Sequence, residues 1–348
     1  MATSWTRKKG TRRVTNGCTC STSYLCRDRA WRRGGVAEHA TCVASGTWTT
    51  TRKKAFVPRN VCLDALKVSF QGVPGAYSEQ AAKKCYPDAE VVPCPDFETT
   101  HKQVADSSVD RAVIPVENSL GGSIHVNYDL LMKYRLHITG EVYHKVRHCL
   151  LANPGVAKED IRRVQSHPQA LAQCDGYLDS LNDGVIKEAV DDTAGAAQGI
   201  SLDKDCRDTA ALASSLAGEL YGLDLLDQDC QDNDQNLTRF IILSRDPLAI
   251  SEDKEYKTSI VFTAGDEPGD LFKALSVFAL RDIYLTKIEN RPIPQFIVES
   301  MDNEDLFQNL FYVDFKGSLS DESCQNALRH LSEVSAFMRI LGSYPADA

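Results

Sequence analysis

The stretch DNDQNLTRFIIL, residues 232–243, sets Asn236, Thr238 and Arg239 immediately ahead of the apolar run Phe240 to Leu243. Three chemistries fit a strand entered through so polar a cluster: a turn that only caps the strand, a phosphate contact, or a catalytic hydroxyl held beside a charge. Four other polar groupings share this arrangement. GVPGAYS carries Ser78 after a glycine turn; ENS, followed by two glycines, carries Glu117, Asn118 and Ser119; SHPQAL carries His167 and Gln169; DDTAGAA carries Thr193. Singly, each has a plain structural reading: a glycine turn, a strand-ending turn, a capped helix with proline near its first turn, and a helix cap with Thr193 as the capping residue. No Ser-His-Asp order, HExxH or P-loop is present.

These groupings have to be held by regular elements, and the flanking residues specify which. From residue 67, KVSFQGVPGAYSEQAAKKCY reads as strand, glycine turn and helix, with Ser78 at the capping position. RAVIPVENS is a strand running into a loop, and HITGEVYHKVRHCLLAN is a long strand candidate that crosses between two lobes. RRVQSHPQALAQCDGYL and AVDDTAGAAQGI each give a strand, a polar loop and a helix start. Strands alternating with helices predict an α/β sheet. In such sheets small anions bind beyond the carboxyl ends of the strands, against helix N-termini. Residues 245–256 read as a charged linker. Residues 257–344 then give strand, helix, strand, strand, helix, strand: a βαββαβ ferredoxin-like unit whose first helix aligns Leu271, Ala274, Leu275 and Phe278 on one face.

Composition limits the partners. The chain has 348 residues, enough for two domains, and no apolar stretch approaches the roughly 20 residues of a membrane span. Residues 1–60 carry 13 of the 39 Lys and Arg against only Asp28 and Glu38 of the 48 acidic residues, so the rest of the chain holds 26 basic and 46 acidic residues. That first segment is rich in Ser and Thr. It reads as an organelle transit peptide, with a disordered basic arm as the alternative. The acidic body argues against nucleic acid as a partner. Four of the twelve cysteines lie in the first segment, and the other eight are scattered with no CxxC pair or nearby His at ligand spacing, so no metal is expected.

Taken together and in this order, GVPGAYSE, RAVIPVENSLGGSI, SHPQALAQC, DDTAGAA and NLTRF resemble the motifs of prephenate dehydratases across residues 67–244, and the phrases GGSIHVNYDLL and VRHCLLAN resemble the plastid arogenate dehydratases. The resemblance implies a two-lobed periplasmic-binding-like catalytic domain with the substrate between the lobes, followed by an ACT regulatory domain over 257–344. It also implies a lyase that expels carbon dioxide and water together from arogenate, or from prephenate as the alternative, in the plastid stroma and without a cofactor.

By motif position it assigns Thr238 to the departing hydroxyl, Arg239 to a substrate carboxylate and Phe240 to shielding the ring. Glu117, Asn118, Ser119, Ser78, Gln169, Thr193 and Asn236 would line the same cleft. His167 is either a general acid or a structural helix-start histidine. In the ACT unit, PGDLFKAL and ENRP stand where the family binds phenylalanine, which points to Gly269, Leu271, Glu289, Asn290, Arg291 and Pro292, with Asp270 and Asn290 departing from the family pattern. ACT pairing implies a homodimer or homotetramer. The rival from another class is a non-catalytic amino-acid sensor.

Overall fold

The computed structural model describes residues 66–182, 184–251, 254–265, 267–294 and 309–347. The basic first segment lies outside the described residues. The first lobe is built from β1 (Lys67–Gln71), β2 (Glu90–Cys94), β3 (Arg111–Asn118), the two-residue β4 (Gly122–Ser123) and β5 (His137–Lys145), with helices α1 (Tyr77–Cys85), α2 (Phe97–Ala105) and α3 (His125–Tyr134). The chain then crosses into a second lobe. This lobe contains β6 (Cys149–Ala152), β7 (Arg163–Ser166), β8 (Ile186–Ala189), β9 (Thr209–Ala213) and β10 (Asp224–Asp227), with helices α4 (Pro168–Gln173), α5 (Asp175–Ser180), α6 (Thr193–Leu202) and α7 (Ser215–Tyr221). It returns as β11 (Leu237–Ser244), inserted between β3 and β5 of the first sheet, whose order is β2-β1-β3-β11-β5; the second sheet runs β10-β6-β9-β7-β8.

The long strand read from HITGEVYHKVRHCLLAN is therefore two strands, β5 and β6, in different lobes. Strands β1, β2 and β3 are parallel, as are β8, β7 and β9, while β11 runs antiparallel to both β3 and β5. The parallel strands are covered on both faces, and Ala112 to Val116 are accordingly all buried. The loops after β1, β3, β7 and β8 and the start of β11 meet between the lobes. The turn after β1 is tied across that gap: Ser214 Oγ donates to Gly75 O at 2.7 Å and Val73 N donates to Asp192 Oδ2 at 3.2 Å.

Two caps differ from expectation. Ala76, not Ser78, is the N-cap of α1, and the Glu79 carboxylate accepts from Gly75 N at 2.6 Å instead. Asp192, not Thr193, caps α6, accepting from Ala194 N at 2.9 Å. Both hydroxyls are thereby left free of capping duty at the first turns of their helices.

A third sheet holds β12 (Tyr256–Thr263), β13 (Leu285–Pro292), β14 (Asn309–Lys316) and β15 (Met338–Pro345) in the order β13-β14-β12-β15, all antiparallel, with α8 (Asp270–Ala279) and α9 (Glu322–Val334). This is the βαββαβ unit. Ala274, Val277 and Phe278 of α8 pack with Ile260, Phe262 and Phe315 on the helix-covered face of the sheet. The opposite face packs on the first lobe, where Tyr312, Leu341 and Tyr344 share a core with Tyr128, Leu131, Ile138 and Ile241. Gly342 makes this contact possible: a Cβ there would lie 2.0 Å from the carbonyl oxygen of Ile138, and backbone cannot give way as a side chain can.

Candidate active site

The start of β11 lies against the end of β3, pairing Thr238 with Asn118 and Arg239 with Glu117. Residues alternate across a strand, so Thr238 and Phe240 face the gap between the lobes while Arg239 faces the other way. On β3 the register skips a residue, with Arg239 opposite Glu117 but Phe240 opposite Pro115. The skip is a bulge. It leaves Val116 and Glu117 both on the rear face and turns Asn118 forward with Pro115. A cavity of about 150 Å³ results, lined by Thr238, Phe240, Asn118, Pro115, Tyr77, Ser78, His148, His167, Gln169, Gln173 and Thr193 among others. A second hollow of about 360 Å³, walled by Leu120, Gly121, Gln169, Gln173 and Asp232, adjoins it. A larger cleft of about 1170 Å³ opens near Tyr143, Lys257, Lys316 and Asp347, but none of the motif residues lines it.

Hydrogen bonds fix which way each polar group in the cavity points. Asn118 Oδ1 accepts from the backbone N–H groups of Leu120 at 3.1 Å and Gly121 at 2.8 Å, so its amide orientation is forced. Its Nδ2 must then donate, and it reaches Asn236 Oδ1 at 2.7 Å and Thr238 Oγ1 at 2.9 Å. Asn236 Nδ2 donates in turn to Gln173 Oε1 at 2.7 Å, while Gln173 Nε2 donates to Asn118 Oδ1 at 3.3 Å. With Gln173 Oε1 an acceptor, His148 must carry its proton on Nε2, 3.0 Å away. Burial lowers the His148 pKa, opposed by that hydrogen bond, and so keeps the ring neutral. Its Nδ1 lies 3.0 Å from Tyr77 OH, a phenol whose pKa burial raises further.

Thr238 Oγ1 is thus an acceptor toward Asn118, and no acceptor for its own proton is present among the described residues. Thr238 is buried and lines the cavity, with its hydroxyl proton left to donate. Gln173 likewise keeps one N–H for a ligand. Gln173 was missed in the sequence; its spacing of four from Gln169 on a helix already assigned to the site was the available signal.

The remaining candidates divide between the cavity and the rear of the sheet. Ser78 and Thr193 line the cavity at the first turns of α1 and α6. Gln169 reaches over Gly121, where a Cβ would sit 1.6 Å from Gln169 Nε2. His167 is the N-cap of α4, its Nδ1 accepting from Gln169 N at 3.2 Å. That contact fits the helix-start reading of His167, whose ring also borders the cavity. Ser119 does not line the cavity: its Oγ donates to Gln235 O and accepts from Leu237 N, stapling β3 to β11.

Arg239, expected at a substrate carboxylate, is turned away from the cavity instead. Its guanidinium is buried behind the sheet, bonded to Glu141 at 2.7 Å, Asp314 at 2.6 Å and Tyr344 OH at 2.9 Å. Burial opposes that charge, but Asp314, Tyr344 and Glu141 raise the Arg239 pKa above its usual value. Glu117 also faces rearward, 2.9 Å from Lys287 and 3.9 Å from Arg239. The period of two separates these residues from their neighbours in the same motifs.

The effector candidates are similarly split. Gly269 is the left-handed N-cap of α8, Leu271 is half-buried on that helix, and Asn290 and Pro292 are exposed on the edge strand β13. Glu289 and Arg291 face the first lobe instead. Glu289 accepts from Ser123 Oγ at 2.6 Å and lies 3.0 Å from His125 Nε2; Arg291 forks onto Asp129 at 2.7 and 3.2 Å. Among the described residues, no group of three or more His, Cys, Asp or Glu is placed to hold a metal ion.

These features define a two-lobed α/β protein with a small polar cavity between its lobes and a ferredoxin-like unit packed behind one of them. A family profile for prephenate dehydratase matches residues 68–248. Arogenate dehydratase/prephenate dehydratase 2, chloroplastic, of Arabidopsis thaliana is 55% identical over 282 residues, covering 81% of this chain and 73% of its own. The prephenate dehydratase of Arthrobacter aurescens, solved in complex with L-Phe, is 30% identical with a TM-score of 0.72, covering 80% of this chain and 90% of that one. A chain described as a novel type of quorum-quenching acylase is 34% identical with a TM-score of 0.71, covering 81% of this chain and 98% of its own. The chain belongs to the prephenate dehydratase family.

Proposed function

We propose that the protein is an arogenate dehydratase, a carbon-oxygen lyase that converts L-arogenate to L-phenylalanine with loss of carbon dioxide and water. The observation that carries this reading is the donor-ready hydroxyl of Thr238, whose proton is left facing the cavity because Asn118 donates to its oxygen. In a decarboxylating dehydration the ring carboxylate leaves as carbon dioxide and aromatisation drives the step, so no strong base is needed. What the departing hydroxyl needs is a donor held in place, and Thr238, with the spare N–H of Gln173, supplies it. Ser78 and Thr193, with the N-terminal turns of α1 and α6, offer neutral donors to the substrate's carboxylates. Phe240 walls the ring side of the cavity, and Glu117, Ser119 and Arg239 act from outside it.

None of the residues lining the cavity is Lys, Arg, Asp or Glu. A cavity without a fixed cation suits arogenate, whose ammonium offsets one of its two carboxylates, better than the doubly anionic prephenate. Acyl transfer, the activity in the acylase relative's description, needs a hydroxyl activated by an adjacent base. Among the described residues neither Thr238 nor Ser78 bonds an imidazole, which favours dehydration.

The C-terminal unit is read as an ACT domain that senses phenylalanine, supported by the L-Phe complex of the Arthrobacter aurescens relative. Homodimer or homotetramer formation through this unit is supported by apolar surface on α8 and around β13, where Phe272 is 81% and Ile288 49% exposed. The chloroplastic designation of the Arabidopsis thaliana relative and the basic first 60 residues support a plastid address.

The test is a product assay with arogenate and prephenate side by side, each with and without phenylalanine. Arogenate-dependent phenylalanine formation, inhibited by the product, is the expected result. Turnover of prephenate alone would reverse the substrate assignment, and turnover of neither with phenylalanine still bound would make the protein a sensor.

A further inference from the structure

The bulge in β3 is what brings Asn118 into the cavity. Without it, alternation from Pro115 would send Glu117 forward and Asn118 to the rear, and Thr238 would lose its donor. Part of what restrains the bulge comes from the C-terminal unit. Lys287 of β13, with only 9% of its side chain exposed, reaches Glu117 Oε1 at 2.9 Å and Ser123 Oγ at 2.8 Å. Glu117 and Ser123 face each other across the hairpin that carries Asn118, Leu120 and Gly121. Two residues along β13, Glu289 takes the Ser123 hydroxyl at 2.6 Å.

We propose that Lys287 and Glu117 are positioning residues for catalysis: the C-terminal unit clamps the base of the active-site hairpin from behind and so holds the bulge that aims Asn118 at Thr238. The two arms of the hairpin are fixed by one ammonium, which both anchors Glu117 rearward and keeps Ser123 opposite it. Arg239, from the neighbouring strand, adds a second cation on the same side at 3.9 Å. The clamp also makes the ENRP strand mechanically continuous with the ENS loop, so a displacement of β13 is passed to Asn118 without any contact between an effector and the cavity. This inference rests on the dehydratase reading of the cavity only for its kinetic arm.

The test uses the full chain with Glu117→Gln, Lys287→Met and the double variant. A misplacement of about 1 Å caused far from the chemistry can cost about 10²-fold in rate, so each single variant is expected to lower kcat by about tenfold or more with KM changed less than about twofold. The double variant is expected to fall no further than the worse single, the signature of two residues acting through one contact. The second readout is amide hydrogen exchange at Leu120 and Gly121, whose N–H groups are held by Asn118 Oδ1; exchange is expected to accelerate in all three variants. Unchanged kcat with unchanged exchange, additive losses in the double variant, or a fall in melting temperature alone would overturn the proposal. A wild-type protein that turns over neither substrate would defeat the dehydratase reading instead, and exchange at Leu120 and Gly121 would still decide the clamp.

Discussion

At the scale of single residues, the site works by the direction of its hydrogen bonds more than by charge. Two backbone N–H groups orient Asn118, and that orientation propagates to Thr238 on one side and through Asn236 and Gln173 to His148 on the other. Removing the hydroxyl with Thr238→Ala is expected to lower kcat by roughly 10²–10³-fold, the usual worth of one hydrogen-bond donor aimed at developing charge, with the melting temperature close to wild type. Thr238→Ser is expected to retain most of the rate, and an alanine variant of wild-type activity would remove Thr238 from the mechanism. The motif residues were legible in the sequence, but their directions were only half so. A period of two already says that Thr238 and Phe240 cannot share a face with Arg239. The forward turn of Asn118 was not legible, because a bulge is defined by the partner strand's register and β11 lies some 120 residues away.

At the scale of elements, the predicted alternation of strands and helices holds, and the polar loops do gather at the carboxyl ends of parallel strands. The misplaced caps have different causes: at α6 Asp192 and Thr193 compete for adjacent positions and Asp192 takes the cap, whereas α1 begins at Tyr77, which puts Ala76 at the cap and Ser78 inside the first turn. Helix α2 gives a pH prediction. His101 is fully buried on it, and burial pushes its imidazole from 6.5 down to about 4. The unfolded chain takes up that proton as pH falls below about 6.5, whereas the folded chain resists until about 4, so stability is present above this window and is lost as pH drops through it. The contribution is on the order of 3 kcal/mol once pH reaches about 4. Unfolding followed from pH 7 to 4 is expected to show this slope in the wild type and a shallower one in His101→Phe. Parallel curves would place the acid sensitivity elsewhere.

At the scale of the whole molecule, the catalytic sheet and the C-terminal sheet form one packed body. The rear of β11 and β3 is closed by Asp314, Tyr344 and Lys287, so the ferredoxin-like unit forms the back wall of the active site. The sequence separated the two units at the 245–256 linker but gave no sign of their docking, since Arg239 and Glu289 read equally well as ligand contacts. The close approach between the two sheets is made at Gly342. Gly342→Ala places a methyl group 2.0 Å from the Ile138 carbonyl. It is expected to lower the melting temperature by several degrees, about 1–3 kcal/mol, and to reduce kcat together with it. A variant with wild-type stability would mean that the two sheets are not packed through β15 and β5.

The most direct test of the account is the arogenate turnover of Asn118→Asp. This nearly isosteric change replaces the amide donor with an acceptor, so the Thr238 hydroxyl turns to donate to the new carboxylate and its proton is withdrawn from the cavity. The expected result is a fall in kcat comparable to that of Thr238→Ala, about 10²-fold or more, and no further loss when the two changes are combined. An Asn118→Asp enzyme within a few-fold of wild type would contradict it, because the direction of the Asn118–Thr238 hydrogen bond would then be irrelevant to the reaction.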